Sequence, residues 1–184
     1  MPSVDYSIGQ NVGKDANTGQ WYVGSFSNSS LDFAFGTYFD GVTPTLFFHF
    51  PGVTIPDGAT ITVAYITWEY RYKRGTPPAC TLKFEDAANP DVVSSEADGN
   101  SRTPTTASVS ITGPSSGTYW NSPDLSAIIQ GLVDSNSYAS GANMQCFVYG
   151  AGEAGNFSVS WDSVITLHIE YTEAAAAKSQ VIWI

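Results

Sequence analysis

SPDLSAIIQGLVDS, residues 122–135, is the clearest helical pattern in a chain that otherwise alternates like β-strands. Ser122 is a favourable N-cap, Pro123 stands where a helix tolerates proline best, and Asp124 places negative charge at the positive end of the helix dipole. Apolar residues then recur three and four positions apart and form one stripe: Leu125, Ile128, Ile129, Leu132 and Val133. One amphipathic helix among strands is expected to cover a sheet or to close one end of a sandwich.

The segments on both sides of this helix predict strands. The longest, Thr60 to Tyr72, changes its alternation in the middle, which predicts a bulge near Val63 and Ala64. The last, Val164 to Tyr171, alternates apolar with polar residues. Residues 86–106 have the composition of a long polar loop. About eight strands with one helix and irregular connections predict an all-β, two-sheet antiparallel jelly-roll sandwich.

Composition divides the chain into three parts. Residues 1–20 are rich in Gly, Asn, Ser and Gln and predict an extended N-terminal arm, which we expect to be ordered only against a partner. Residues 21–172 predict the sandwich, and residues 173–184 a short spacer followed by an apolar tail. The tail has strong strand propensity, and an unpaired apolar strand promotes aggregation. We therefore predict that four residues bind a sheet edge or groove of a neighbouring subunit: Val181, Ile182, Trp183 and Ile184.

The charge balance argues against two classes of partner. The 184 residues carry a formal net charge of -10, with seven Lys and Arg in all. Nucleic acids and anionic membranes both require a basic face. The cluster of Arg71, Lys73 and Arg74 is interpreted as a solvated strand end rather than a phosphate site. The first ten residues lack the basic start and apolar core of a signal peptide, so we expect synthesis in the cytoplasm.

The residues able to carry chemistry are few and scattered. Cys80 and Cys146 both lie in predicted strands, which favours two buried free thiols over a disulfide. His49 and His168 lie on predicted strands beside bulky residues and show no metal-ligand spacing. The sequence therefore predicts neither an enzyme nor a zinc site.

Two kinds of ligand stay open. Oxygen-bearing residues crowd the loop at 86–100 and suggest a calcium site, although acidic loop residues are more often simply solvated. The candidate ligands are Asp86, Asp91 and Asp98, together with Asn89 and Asn100. Aromatic side chains that could stack on sugar rings, or fill the core instead, are Tyr119, Trp120 and Tyr138, with Trp161 a further one.

Four segments together resemble a jelly-roll domain found in phage structural proteins and in secreted bacterial modules associated with carbohydrate binding. They are VTIPDGATITVAYITWEY (53–70), SPDLSAIIQGLVDS (122–135), YASGANMQCFVYGAG (138–152) and VSWDSVITLHIEY (159–171). The resemblance covers residues 21–171, and the matching residues are structural rather than catalytic.

This resemblance implies a non-enzymatic role. The stand-alone domain, its two extensions and the missing secretion signal predict a phage virion protein that self-associates. We expect a capsid decoration (cement) protein that clamps neighbouring subunits, and a tail or fibre component as the next choice. The alternative is a carbohydrate-binding or receptor-binding jelly-roll module.

Overall fold

The structure is a computed structural model that describes residues 2–9, 17–28, 34–35, 37, 41–75, 79–112, 119–135, 138–150, 155–159 and 164–174. The predicted tail at Val181 to Ile184 and the aromatic Trp161 lie outside these residues. The first strands are β1 (Ser3–Gly9), β2 (Thr18–Tyr22), β3 (Ser25–Ser27), β4 (Ala34–Phe35), β5 (Thr45–Val53), β6 (Thr60–Gly75) and β7 (Ala79–Phe84). They are followed by α1 (Glu96–Ser101), β8 (Val109–Thr112), β9 (Tyr119–Asn121), α2 (Ser126–Asp134), β10 (Ala142–Gly150), β11 (Gly155–Val159) and β12 (Val164–Thr172).

The strands form two antiparallel sheets. In the described residues the first sheet has the order β1-β12-β6-β11-β4, with β9 also on β6, and the second has the order β3-β2-β5-β10-β7-β8. Strand pairs are nested: β1 pairs with β12, β5 with β10, β6 with β9, and β7 with β8. Nesting of this kind is the winding of a jelly roll. The predicted all-β, two-sheet sandwich is therefore confirmed.

The core lies between the two sheets, and the strand alternation places it there. From β12, Ile165, Leu167, Ile169 and Tyr171 are buried, while the polar residues between them are partly exposed. The bulge predicted in β6 is present slightly earlier, between Ile61 and Val63. It lets Ile61 and Ala64 both enter the core, although they are three residues apart.

The outer face of the second sheet carries its own small core. Phe47 and Phe147 point away from the main core and pack with Trp21 and Val93. The segment 86–106 covers them; the predicted polar loop is interrupted by α1 at residues 96–101, so the prediction of a single helix is wrong. A six-residue helix with no apolar stripe has no periodic signal. Its one buried residue is Gly99, and a Cβ there would lie 2.6 Å from the Trp21 ring.

The predicted N-terminal arm is not separate from the sandwich. All seven residues of β1 pair with β12, and Ile8 is buried in the main core. Further along, Thr18 to Gln20 are buried in β2. Alternating Val4, Tyr6 and Ile8 supply an apolar face that the overall composition of the segment concealed. The described part of residues 1–20 is thus part of the domain, and residues 10–16 lie outside the described ranges.

The helix α2 begins later than its sequence pattern predicts. Its N-cap is Leu125, which has no capping side chain, whereas Ser122 bonds to β6 instead. The apolar stripe is confirmed, because Leu125, Ile128, Ile129 and Leu132 are buried. None of the helices in the described part of the chain is long and apolar enough to span a membrane.

Candidate functional site

One edge of β6 is sealed by the segment that leads into α2. The Ser122 Oγ accepts a hydrogen bond from the Ile66 N–H at 3.0 Å, and the Ser122 N–H donates to the Ile66 carbonyl at 2.8 Å. One step along, the Leu125 N–H donates to the Ala64 carbonyl at 2.7 Å, and Asp124 Oδ1 accepts from the Ala64 N–H at 3.3 Å. Side chains and backbone of a non-strand segment thus take the place of a neighbouring strand.

Gln130 completes the sealing from the first turns of α2. Its Oε1 accepts from the Ile61 N–H at 2.7 Å, and its Nε2 donates to the Ala59 carbonyl at 3.3 Å. The side-chain amide therefore offers β6 the same donor and acceptor that a peptide group would offer. Burial acts to raise the pKa of Asp124, but hydrogen bonds from Ser126 and Ala64 outweigh it and leave this pKa below its usual value.

The opposite edge of the same sheet is β1, and it is open in the described structure. The Tyr171 N–H donates to the Pro2 carbonyl at 3.2 Å, which fixes the hydrogen-bonding phase of the β1–β12 pair. Antiparallel pairs alternate, so Val4, Tyr6 and Ile8 direct their N–H and C=O groups toward β12. The same groups of Ser3, Asp5 and Ser7 then point away from the sheet, where no described strand pairs with them. We call these outward groups of Ser3, Asp5 and Ser7 the β1 edge.

A partly buried polar cluster fixes the covering segment to the second sheet. Arg102 donates from Nε and NH2 to the two carboxylate oxygens of Asp98, at 2.8 and 3.0 Å, and from NH1 to Glu85 Oε1 at 3.0 Å. Gln145 Nε2 donates to the other oxygen of Glu85 at 2.7 Å. The Arg102 hydrogen bonds lower the pKa of Asp98 to about 2. These groups bond to one another, so the cluster is built for structure rather than for chemistry.

The predicted calcium ligands do not converge. Asp98 is held by Arg102, while Asp86 and Asp91 are exposed. Asn100 Oδ1 accepts from Trp21 Nε1 at 3.0 Å, and Asn89 Oδ1 accepts from the Asn143 N–H at 2.8 Å. Within the described residues no three His, Cys, Asp or Glu side chains could share a metal ion. The segment uses its oxygen atoms to hold its own fold, which composition could not reveal.

The three predicted glycan-stacking residues do not form one platform. Tyr119 is 61% exposed, whereas its neighbour Trp120 faces the other way and packs edge-on against Trp68, with ring centroids 4.8 Å apart. Tyr138 is partly buried, and its hydroxyl donates to the Val53 carbonyl and accepts from the Ile55 N–H. Burial raises the pKa of Tyr138. Of the three, Tyr119 is exposed, whereas Trp120 and Tyr138 are partly buried.

The two histidines and the two cysteines all lie in strands. His168 Nδ1 lies 2.6 Å from Asp5 Oδ1, and its ring stacks on Tyr65 at a centroid distance of 4.6 Å. His49 is buried opposite Gln145 in the β5–β10 pair. The prediction of free thiols is confirmed, since Cys80 and Cys146 are both unoxidised and buried. Burial raises the pKa of Cys146 well above its usual range, which makes its thiol unreactive.

Two clefts in the described part of the chain each have at most one titratable group in their walls. One, of about 180 Å³, lies between α2 and residues 105–107, with Ile128 and Leu132 in its wall and Asp86 as its titratable group. The other, of about 310 Å³, is lined by Ala88, Asn89 and residues 139–142. Ligand pockets usually combine a volume of roughly 300–1,000 Å³ with convergent polar groups. The edges of the first sheet are therefore the better candidates for function.

Sequence reasoning missed the residues that distinguish these edges. Gln130 had a weak sequence signal, since it is a polar residue that lies between the buried Ile129 and Leu132 of the helix stripe. The pairing of Asp5 with His168 had none, because it depends on the register between strands 163 residues apart. Comparison with models of known protein families and with curated proteins found no match.

Proposed function

We propose that this chain is a non-enzymatic structural protein of a phage virion, namely a capsid decoration protein that clamps neighbouring subunits. The observation that carries the proposal is the β1 edge. It is the outer side of a seven-residue edge strand, which no described strand pairs with, in a jelly roll whose β6 edge is sealed. An unprotected edge of this length is a place for another chain to pair.

The buried polar groups support a role without chemistry. Glu85, Arg102 and Asp98 are bonded to one another, and the Cys146 thiol is kept protonated by burial. A hydrolytic site needs a nucleophile beside a base, or two free carboxylates flanking a cleft. The cleft beside α2 and the cleft lined by residues 139–142 provide neither arrangement.

The charge supports a place on an assembled particle. The net charge is -10, and charged residues make up 13% of the chain. An outer layer of acidic and uncharged polar surface keeps particles soluble and apart. Clamping at a particle surface then depends on strand pairing and apolar contacts rather than on ion pairs.

Imaging of intact particles tests the proposal directly. We expect density for this jelly roll at regular positions of the capsid lattice, contacting at least two capsid subunits. A matched binding assay would incubate the purified chain with particles that lack it and recover both by sedimentation. Density on the tail alone would favour the tail or fibre role. Absence of the chain from purified particles, with no co-sedimentation, would overturn the virion proposal.

Carbohydrate binding is the second candidate, and the exposed ring of Tyr119 favours it. The Tyr119 ring is 61% exposed on an edge of the sandwich. We expect any sugar contact to be lost in Tyr119→Ala and retained in Val23→Ala, which removes another exposed apolar side chain. A glycan array probed with and without calcium measures this. No binding at millimolar sugar would exclude the second candidate.

A further inference from the structure

We propose that the β1 edge accepts, by antiparallel strand addition, the segment Val181 to Ile184 of a second copy of this chain. The inference deepens the proposed function by naming the partner of the open edge. It starts from an asymmetry of the sheets: the other terminal strands are short, with three residues in β3, two in β4 and four in β8. Short edge strands are a common protection against pairing, and β1 lacks that protection.

The backbone of the β1 edge is ready to pair. Ser3, Asp5 and Ser7 present three N–H and three C=O groups outward, as the phase of the β1–β12 pair requires. The register of that pair is unbroken over all seven residues, and no proline follows Pro2 in the strand. A strand laid against this edge would meet a regular ladder.

The side chains of the segment suit the surface beside this edge. Val4 and Tyr6 are partly buried and pack against the main core from its margin. Alternate side chains of an added strand would extend the core there, and Val, Ile and Trp are strong strand formers. A second copy of β1 would instead bring two acidic strands together, since β1 carries Asp5 and no basic residue. The uncharged segment Val181 to Ile184 is the better occupant.

The reach of the chain indicates that the occupant comes from a second copy. The chain leaves the sandwich beside the start of β1, where Tyr171 bonds to Pro2 and Ala174 lies beside Gly58. A four-residue segment that pairs with β1 of its own chain must begin at least about 10 Å along that strand, opposite Tyr6, and then run back toward Ser3. The seven Cα steps from Ala174 to Val181 span at most about 25 Å when fully extended, and a path within one chain has to fit that advance and two chain reversals into them, whereas a segment from a second copy needs neither.

The test combines three variants of the full chain. One lacks Val181 to Ile184. Asp5→Pro removes an outward N–H without removing a bond to β12, and Asp5→Ala removes the same carboxylate but keeps that N–H. Analytical ultracentrifugation measures self-association, and circular dichroism with thermal melting checks that each variant is folded. We expect association to weaken at least tenfold in the deletion and in Asp5→Pro, and less than threefold in Asp5→Ala.

Hydrogen exchange locates the contact independently. A synthetic peptide of residues 175–184, added to the deletion variant, should slow exchange of the Ser3, Asp5 and Ser7 amides. This measurement uses the unmodified edge, so it decides the question even where Asp5→Pro unfolds. Particle binding is scored separately, so that self-association without decoration would keep this inference and remove only the virion role.

Three results would overturn the inference. Wild-type chain that stays monomeric up to the highest soluble concentration would show that no second copy binds. Association that survives the deletion would show that another surface mediates it. Protection of the three amides in dilute monomer, lost on deletion, would show that the segment pairs within its own chain.

Discussion

The first half of β6 and the outer side of β1 both lack a neighbouring strand on one side, and the fold treats them in opposite ways. Along β6, side-chain oxygen atoms of Ser122, Asp124 and Gln130 accept hydrogen bonds from the N–H groups that a neighbouring strand would otherwise bond. Along β1, the corresponding groups of Ser3, Asp5 and Ser7 have no strand partner in the described structure. One edge is closed by the fold, whereas the other is left to water or to a partner.

This difference explains why the helix segment stands where it does. Burial of an apolar stripe holds a helix against a domain core, and α2 buries Ile128, Ile129 and Leu132 in this way. The same packing places Gln130 and the preceding turn at hydrogen-bonding distance from β6. Sealing an edge therefore requires a segment that both packs on the core and carries polar groups, and no described segment lies along the outer side of β1.

The largest effect is expected when the packing beneath the sealed edge is removed. Ile129 is fully buried, so Ile129→Ala should lower the free energy of unfolding by about 3 kcal/mol through lost burial and a cavity. Urea denaturation measures this change. The exposed Ala127 on the same helix is the control, since Ala127→Ser should change stability by less than about 0.5 kcal/mol. A loss below 1 kcal/mol in Ile129→Ala would mean that α2 is not held against β6.

A smaller loss is expected from one hydrogen bond of the sealed edge. Ser122→Ala leaves the Ile66 N–H buried without its acceptor, which costs about 1–3 kcal/mol. Exchange of the Ile66 amide should accelerate most. If Ser122 capped the helix instead, the amides of Asp124 and Leu125 would respond, and that pattern would contradict the sealed-edge assignment. Ser126→Ala, which removes a hydroxyl bonded to Asp124, is the matched control.

How far the sequence predicts this molecule depends on the range of the interaction. Alternation in β12 and the stripe of α2 are local patterns, and they predicted the sandwich and its core correctly. The bulge in β6 was also visible, because a bulge shifts the alternation of its own strand. Each of these features depends on a periodic pattern that lies within about ten consecutive residues.

The features that were missed depend on distant residues. Ser122 has the sequence signature of an N-cap, yet its hydroxyl bonds Ile66, 56 residues earlier. Asp98 and Asn100 resemble calcium ligands until Arg102 and Trp21 are placed beside them. The polar composition of residues 1–20 conceals β1, and its partner β12 is the last strand of the domain, far away in the sequence. Local sequence patterns do not predict these long-range contacts.

Acid should weaken the sealed edge modestly. The pKa of Asp124 is lowered in the folded chain, so its contribution is present above the usual carboxyl pKa of 3.8 and is lost as the pH falls below it. Asp124→Asn keeps an acceptor oxygen but no charge. We expect it to be less stable than wild type by about 0.3–1 kcal/mol at pH 7, with the gap closing by pH 2.5. Urea titrations at both pH values measure the gap, and one that stays constant would mean that the charge contributes nothing.

The smallest perturbation is the exchange of amide hydrogen for deuterium, and it compares the two edges directly. In dilute solution the amides of Ile61, Ala64 and Ile66 should exchange slowly, because Gln130, Asp124 and Ser122 hold them and α2 covers them. The amides of Ser3, Asp5 and Ser7 should exchange at least a hundredfold faster than those of Val4, Tyr6 and Ile8, which bond to β12 in the same strand. Hydrogen-exchange NMR resolves both sets in one sample. Uniform exchange along β1 would mean that the whole strand detaches from β12, or that its outer groups are already paired, and in either case the contrast between a closed and an open edge would fail.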